Sequence, residues 1–185
     1  MERSAIFAGF GGQGILFAGT VLARAAMAEG LEVLWIPSYG PEMRGGTASC
    51  TVIVGSETIG SPIVDKADAI VVLNPPSLAK FESLVAPRGA LVVNTSLIEA
   101  LPTREDIEIV ALQGTALARG AGDDRLVSVV ALGALIARRP LVSLDSIRAA
   151  ISAIVSAKHP EFLAADLAAL EAGFAAALEG VAVPG

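Results

Sequence analysis

The sequence predicts an α/β fold: a mostly parallel open sheet with a Rossmann-like βαβ start and C-terminal helices. Three observations predict it. Strand and helix patterns alternate up to residue 112. The runs Ala69–Leu73 and Ala90–Val93 are continuously apolar, as parallel strands buried on both faces are. Beyond residue 112 the pattern turns helical. No internal repeat or low-complexity linker divides the chain, so residues 1–185 read as one domain.

The elements follow in order. Ala5–Ala8 reads as a short buried strand, and glycines follow it. Ile15, Leu16, Ala18, Val21, Leu22, Ala25 and Ala26 then make a helical pattern, which Gly30 ends as the residue past the cap. Leu31–Ile36 is a second strand, closing a βαβ opening. Residues 37–46 form a loop dense in Pro and Gly, and Thr47–Val54 alternates as a strand does. Ala69–Leu73 is a strand. Pro75 and Pro76 start a helix whose apolar face is Leu78, Phe81, Leu84 and Val85. A turn at Pro87–Gly89 leads into strands Ala90–Val93 and Ile107–Leu112. Three helices complete the chain: Leu126–Ala137, Ser143–Ala157 opened by Ser143 or Asp145 as cap, and the alanine-rich Phe162–Leu178.

Composition narrows the function classes. The chain is 54% hydrophobic and 17% charged, with mean hydropathy +0.67 and net charge −6. Disorder needs the opposite balance. Nucleic-acid binding needs a basic excess to neutralise phosphates, which is absent. The apolar surplus points to surface meant for a membrane or for partner chains. The longest uncharged run, Ser4–Ala23, is interrupted by Gly9–Gly14, where helical backbone costs about 1 kcal/mol per Gly. Leu126–Ala137 is too short for the roughly 20 residues of a span. No leader pattern follows the first apolar run, so a cytoplasmic protein is expected. The single cysteine, Cys50, excludes an internal disulfide, a cluster or a cysteine-rich zinc site, and it reads as buried filler.

Two glycine-rich segments carry the functional signal. Gly9-x-Gly11-x-x-Gly14 has the dinucleotide-binding spacing between a strand and a helix. Its glycines would bring backbone amides to an anion at a helix N-terminus. The acidic residue that should end the second strand is missing, because that strand runs into Pro37-Ser38-Tyr39 and Glu32 stands at its start. The loop Gly11, Gly12, Gln13, Gly14 therefore reads as a tight turn, as a seat for another phosphate-bearing ligand, or as a contact for a partner's backbone. The second segment, Ser38, Tyr39, Gly40, Pro41, Glu42, Met43, Arg44, Gly45 and Gly46, sits at the strand end where open α/β sheets build sites. Arg44 suits bidentate recognition of a carboxylate or phosphate, or a pair with Glu42 or a neighbouring chain. Asn74, ending an apolar strand on the same edge, is a turn former or a site residue, and Gln113-Gly114-Thr115 could face a ligand similarly. His159 reads as a helix-boundary residue, and Asp65 and Asp68 as solvated or capping residues. No Ser/His/Asp nucleophile set and no metal site is visible, so no catalytic residue is assigned.

Gly-Phe-Gly-Gly-Gln-Gly-Ile at 9–15, followed by Ala18 and Leu22-Ala23, resembles the opening of the γ subunit of 2-oxoacid:ferredoxin oxidoreductases. The stretch 37–46 with Ala48 and Cys50 is similar to that family's second signature. Ser61-Pro62 with Ala67-Asp68, and Leu132–Leu135, are similar to later ones. Asp123-Asp124-Arg125 departs from the pattern, where an asparagine near the helix start is expected. The resemblance implies a cytoplasmic hetero-oligomer that oxidatively decarboxylates a 2-oxoacid such as pyruvate, 2-oxoglutarate or a branched-chain acid to an acyl-CoA, with electrons passed to ferredoxin. It implies α, β and ferredoxin-like partner subunits. Thiamine diphosphate, magnesium and iron–sulfur clusters would sit on those chains and none on this one alone, with coenzyme A a contact of this chain. The small subunit of indolepyruvate:ferredoxin oxidoreductase and a stand-alone nucleotide-binding Rossmann module are the alternatives.

Overall fold

The computed structural model describes residues 2–39 and 47–180, with the side chain of Tyr39 left out. These residues form six strands and six α-helices. The strands are β1 Glu2–Phe10, β2 Glu32–Tyr39, β3 Thr47–Gly55, β4 Ala67–Val72, β5 Val85–Asn94 and β6 Glu108–Leu112. The helices are α1 Ile15–Ala28, α2 Pro75–Phe81, α3 Gly114–Ala121, α4 Val127–Arg138, α5 Leu144–Lys158 and α6 Leu163–Glu179.

The sheet order is β2-β3-β1-β4-β5-β6. The pairs β1–β4, β4–β5 and β5–β6 are parallel, as the double-faced apolar runs predict. β3 is the exception. It lies antiparallel between β1 and β2, with Phe7 opposite Cys50 and Trp35 opposite Val52. The opening βαβ unit therefore keeps its strand direction but not strand adjacency.

Alternate residues of β1, β4, β5 and β6 feed two cores. Ala5, Phe7, Val71, Val92 and Val110 pack under α1, α4, α5 and α6. Ile6, Ala8, Ile70, Leu91, Val93 and Ile109 pack under Phe81, Ile98 and Leu78 on the other face. α4 and α6 approach backbone to backbone. A Cβ on Gly133 would overlap the Leu170 carbonyl oxygen, and one on Gly173 the Val130 carbonyl oxygen.

Three expectations change. Pro87–Gly89 is not a separate turn, and Val85 is not helical. Both lie within β5, where the register shifts between Ala67 and Ala69 and Arg88 takes a left-handed φ of 64°. Arg88 N donates to Asp106 O at 2.6 Å, so this irregular stretch is held from the far edge. The short helix α3 had no sequence warning. Two glycines and a polar start hid its period. Asp68 is not a turn cap, because it sits half-buried in β4 and its Oδ2 accepts from Ser4 N at 2.8 Å. No helix among the described residues is long and apolar enough to cross a membrane.

Candidate functional site

The carboxyl ends of β1, β2, β4, β5 and β6 all point to one edge, and β3 begins there. Phe10, last in β1, pairs with Thr47, first in β3, and Tyr39, last in β2, pairs with Ala48. The first glycine loop, Ser38 and Thr47, the residue that follows the second segment, are therefore neighbours on this edge. Ser38 is exposed on β2 opposite Ser49. Gly40, Pro41, Glu42, Arg44, Gly45 and Gly46 lie outside the described residues.

The first loop is held by Gln13. Its Oε1 accepts from Phe10 N at 2.7 Å, and its own N donates to Phe10 O at 3.2 Å. A side chain on Gly9 would put Cβ 2.6 Å from that Oε1, so Gly9 makes room for the clasp. Gly11 and Gly12 are exposed, with open space around them. Gly14 caps α1 with φ 76°, a conformation that only glycine adopts freely. No side chain caps α1 and no acidic residue sits in its first turn. The amides of Ile15–Phe17 therefore have no intrahelical acceptor, at the positive end of the helix dipole. Ser128, in the first turn of α4, presses on Gly14, and its buried Oγ has no hydrogen-bond partner among the described residues.

The next strand ends add two buried asparagines. Asn74 Oδ1 accepts from Ser77 N at 2.9 Å and caps α2, and Nδ2 reaches Gln13 Oε1 at 3.5 Å. Asn74 is therefore both the turn former and a link to the glycine loop. Asn94, ending β5, donates to Leu73 O at 3.2 Å and Thr115 Oγ1 at 3.1 Å. Its Oδ1 accepts from Ser96 N and Thr115 N, each at 3.3 Å. Ser96 Oγ donates in turn to Gln113 Oε1 at 3.3 Å. Sequence reasoning missed Asn94 and Ser128. For Asn94 a signal existed, since it closes an apolar strand as Asn74 does. Ser128 stands in an apolar helix with nothing to mark it.

Among the described residues the edge offers amides, carboxamides and hydroxyls and no nucleophile–base pair. Cys50 is no substitute. It is buried, Sγ donates to Ile15 O at 3.5 Å, and burial pushes the thiol up to about 12. A lone protonated thiol does not suit cluster ligation. No group of three or more metal-ligating side chains occurs among the described residues. The dinucleotide reading also loses its geometry. It needs β2 beside β1 with a carboxylate at its end, and here β3 intervenes and β2 ends in Ser38-Tyr39. His159 caps the C-terminus of α5 at the surface, 3.5 Å from Glu161. Asp123, at the point of departure from the family pattern, caps a short 3-10 turn by accepting from Arg125 N, and Arg125 holds its carboxyl down at about 2.

The pyruvate ferredoxin/flavodoxin oxidoreductase family model matches residues 4–176. The ketoisovalerate oxidoreductase subunit VorA of Methanothermobacter marburgensis is 38% identical over 168 residues, 90% of this chain and 34% of that protein. The chain thus spans about a third of the length of that relative. The γ subunit of a keto/oxoacid ferredoxin oxidoreductase from Geobacter sulfurreducens superposes with a TM-score of 0.85 at 28% identity, covering 96% of this chain and 97% of that one. The 2-oxoglutarate:ferredoxin oxidoreductase of Magnetococcus marinus, solved with 2-oxoglutarate, coenzyme A and succinyl-CoA bound, superposes with a TM-score of 0.87 at 26% identity, covering 98% of this chain and 32% of that chain.

Proposed function

The chain belongs to the pyruvate ferredoxin/flavodoxin oxidoreductase family, and from that premise we propose that it works as the γ subunit of a cytoplasmic 2-oxoacid:ferredoxin oxidoreductase. The observation that carries this reading is the superposition of nearly the whole chain on the Geobacter γ subunit. In this reading the assembled enzyme oxidatively decarboxylates a 2-oxoacid to its acyl-CoA and passes electrons to ferredoxin. The relatives act on ketoisovalerate and on 2-oxoglutarate by their names, and this chain's own acid is one of that class. In this reading thiamine diphosphate, magnesium and iron–sulfur clusters belong to α, β and ferredoxin-like subunits.

The part of this chain is positional. Gln13, Asn74 and Asn94 lock the ends of β1, β4 and β5 into one rigid edge. Gly11, Gly12 and Gly14 present backbone amides from that edge. In this reading Ser38, Tyr39, Gly40, Pro41, Glu42, Arg44, Gly45 and Gly46 are contacts for a ligand or a partner subunit. The uncapped start of α1 suits a coenzyme A phosphate, which makes coenzyme A the ligand this chain would touch.

The test is reconstitution. The chain is purified alone and with the products of neighbouring genes, and 2-oxoacid- and CoA-dependent reduction of a viologen dye is followed. Turnover is expected only from the assembly. Turnover by the chain alone would overturn the reading.

A further inference from the structure

One carboxylate has no role in the reading above. Asp166, in the first turn of α6, is only 5% exposed and has no hydrogen-bond or ion-pair partner among the described residues. An acidic side chain in a first turn ordinarily offsets the helix dipole from the surface. This one instead lines a cavity of about 290 Å³ with Phe17 of α1, Ile154 and Val155 of α5, and Phe162. Lys158 and His159 line the same cavity, and neither comes within ion-pair distance of Asp166. His159 pairs with Glu161 instead, and its ring centroid lies 5.7 Å from that of Phe162. An unpaired carboxylate among apolar side chains is costly, and burial pushes its carboxyl up. Apolar walls with a few polar groups, here the unpaired Asp166 with Lys158 and His159, are the make-up of a ligand pocket.

We propose that this cavity binds an aliphatic ammonium group, with the apolar stem between Ile154, Val155 and the two phenylalanine rings and the charge on Asp166. Aromatic faces attract a cation as well as a methylene chain, so the walls and the carboxylate select the same ligand. Such a group comes from a free amine or from a lysine side chain of a partner subunit. The site stands apart from the assembly reading, because it uses none of the sheet-edge residues.

The test titrates the full chain with n-hexylammonium, 1-hexanol and hexanoate while following the Ile154 and Val155 methyl signals by NMR. Hexylammonium is expected to bind about tenfold tighter than hexanol, the scale of one hydrogen bond to a charged group, with hexanoate causing no shift. D166N should erase that preference and leave hexanol binding within about twofold of wild type. Equal affinity for amine and alcohol, or an amine preference that survives in D166N, would overturn the proposal. I154W, which fills the cavity, should abolish the Val155 shift, and persistence of the shift would place binding elsewhere and also overturn it. Nα-acetyl-lysine methylamide separates the sources: binding tighter than hexylammonium assigns the site to a protein side chain, and weaker binding assigns it to a free amine.

Discussion

Two regions of the molecule are built on glycine for opposite reasons. In the loop after β1, Gly11 and Gly12 face open space, and Gly14 caps α1 at φ 76°. The missing side chains leave backbone amides available to something outside the chain. Between α4 and α6, Gly133 and Gly173 face the partner helix's carbonyl oxygens at closer than contact distance for a Cβ. There the missing side chains are replaced by the chain's own backbone. The first region leaves its backbone bare to the outside, and the second gives up side chains for internal packing.

The sharpest way to break this comparison is at the helix pair. Gly173→Ala forces α6 away from α4 along their length, and a destabilisation of about 3 kcal/mol or more is expected from overpacking, read as a lower urea midpoint with an unchanged slope. Gly133→Ala should behave alike. A near-native midpoint for both would show that the helices slide apart freely, and the contrast with the loop would fail.

The loop should separate stability from assembly. Gly14→Ala meets a left-handed φ and the Ser128 hydroxyl 2.5 Å from the new Cβ. A loss of about 1–2 kcal/mol is expected from the backbone conformation alone. Gly11→Ala has open space, so its stability should stay within about 0.5 kcal/mol while co-purification with partner subunits weakens. A Gly11→Ala chain that assembles and turns over like wild type would remove the loop from the interface.

The polar clasp beneath the loop offers a finer division. Asn94 makes four hydrogen bonds and is 1% exposed. Asn94→Ala strands the buried Leu73 carbonyl and the half-buried groups of Ser96 and Thr115, and should cost about 2 kcal/mol or more. Asn74→Ala chiefly removes a cap and should cost about 1 kcal/mol. Thermal midpoints order the two. The reverse order would mean that the link from Asn74 to Gln13, and not the bonds around Asn94, fixes the edge.

Much of this was legible in the residues. The apolar runs at 69–73 and 90–93, the punctuation at Gly30, Pro75 and Ser143 and the helical period beyond residue 112 placed the parallel strands and five of the six helices, because each signal is local. The antiparallel insertion of β3 was not legible, since adjacency in a sheet is set by which edge a hairpin returns to and not by the pattern of the strand. Helix α3 was hidden because it is short and holds two glycines. At the site, Gln13 and Asn74 stood out by neighbouring Gly and Pro, whereas Ser128 acquires meaning only when α4 is laid against Gly14.

Asp166 tests the comparison from a third side, because there the chain tolerates an unfavourable group without an internal use for it. Burial raises its carboxyl above the ordinary value, so the fold favours the neutral acid. The associated stability is present below the unfolded value near pH 3.9 and is lost as pH rises through the folded one. Asp166→Asn mimics the neutral form. It should raise the thermal midpoint by about 2 °C at neutral pH and leave it unchanged near pH 3. Lys158 and His159, the other ionisable groups lining the cavity, bound the effect, since a cation moving onto Asp166 would lower its carboxyl again. A D166N chain less stable than wild type at neutral pH would mean that the carboxylate is already paired within the chain, and the cavity would then have no charge to offer a ligand.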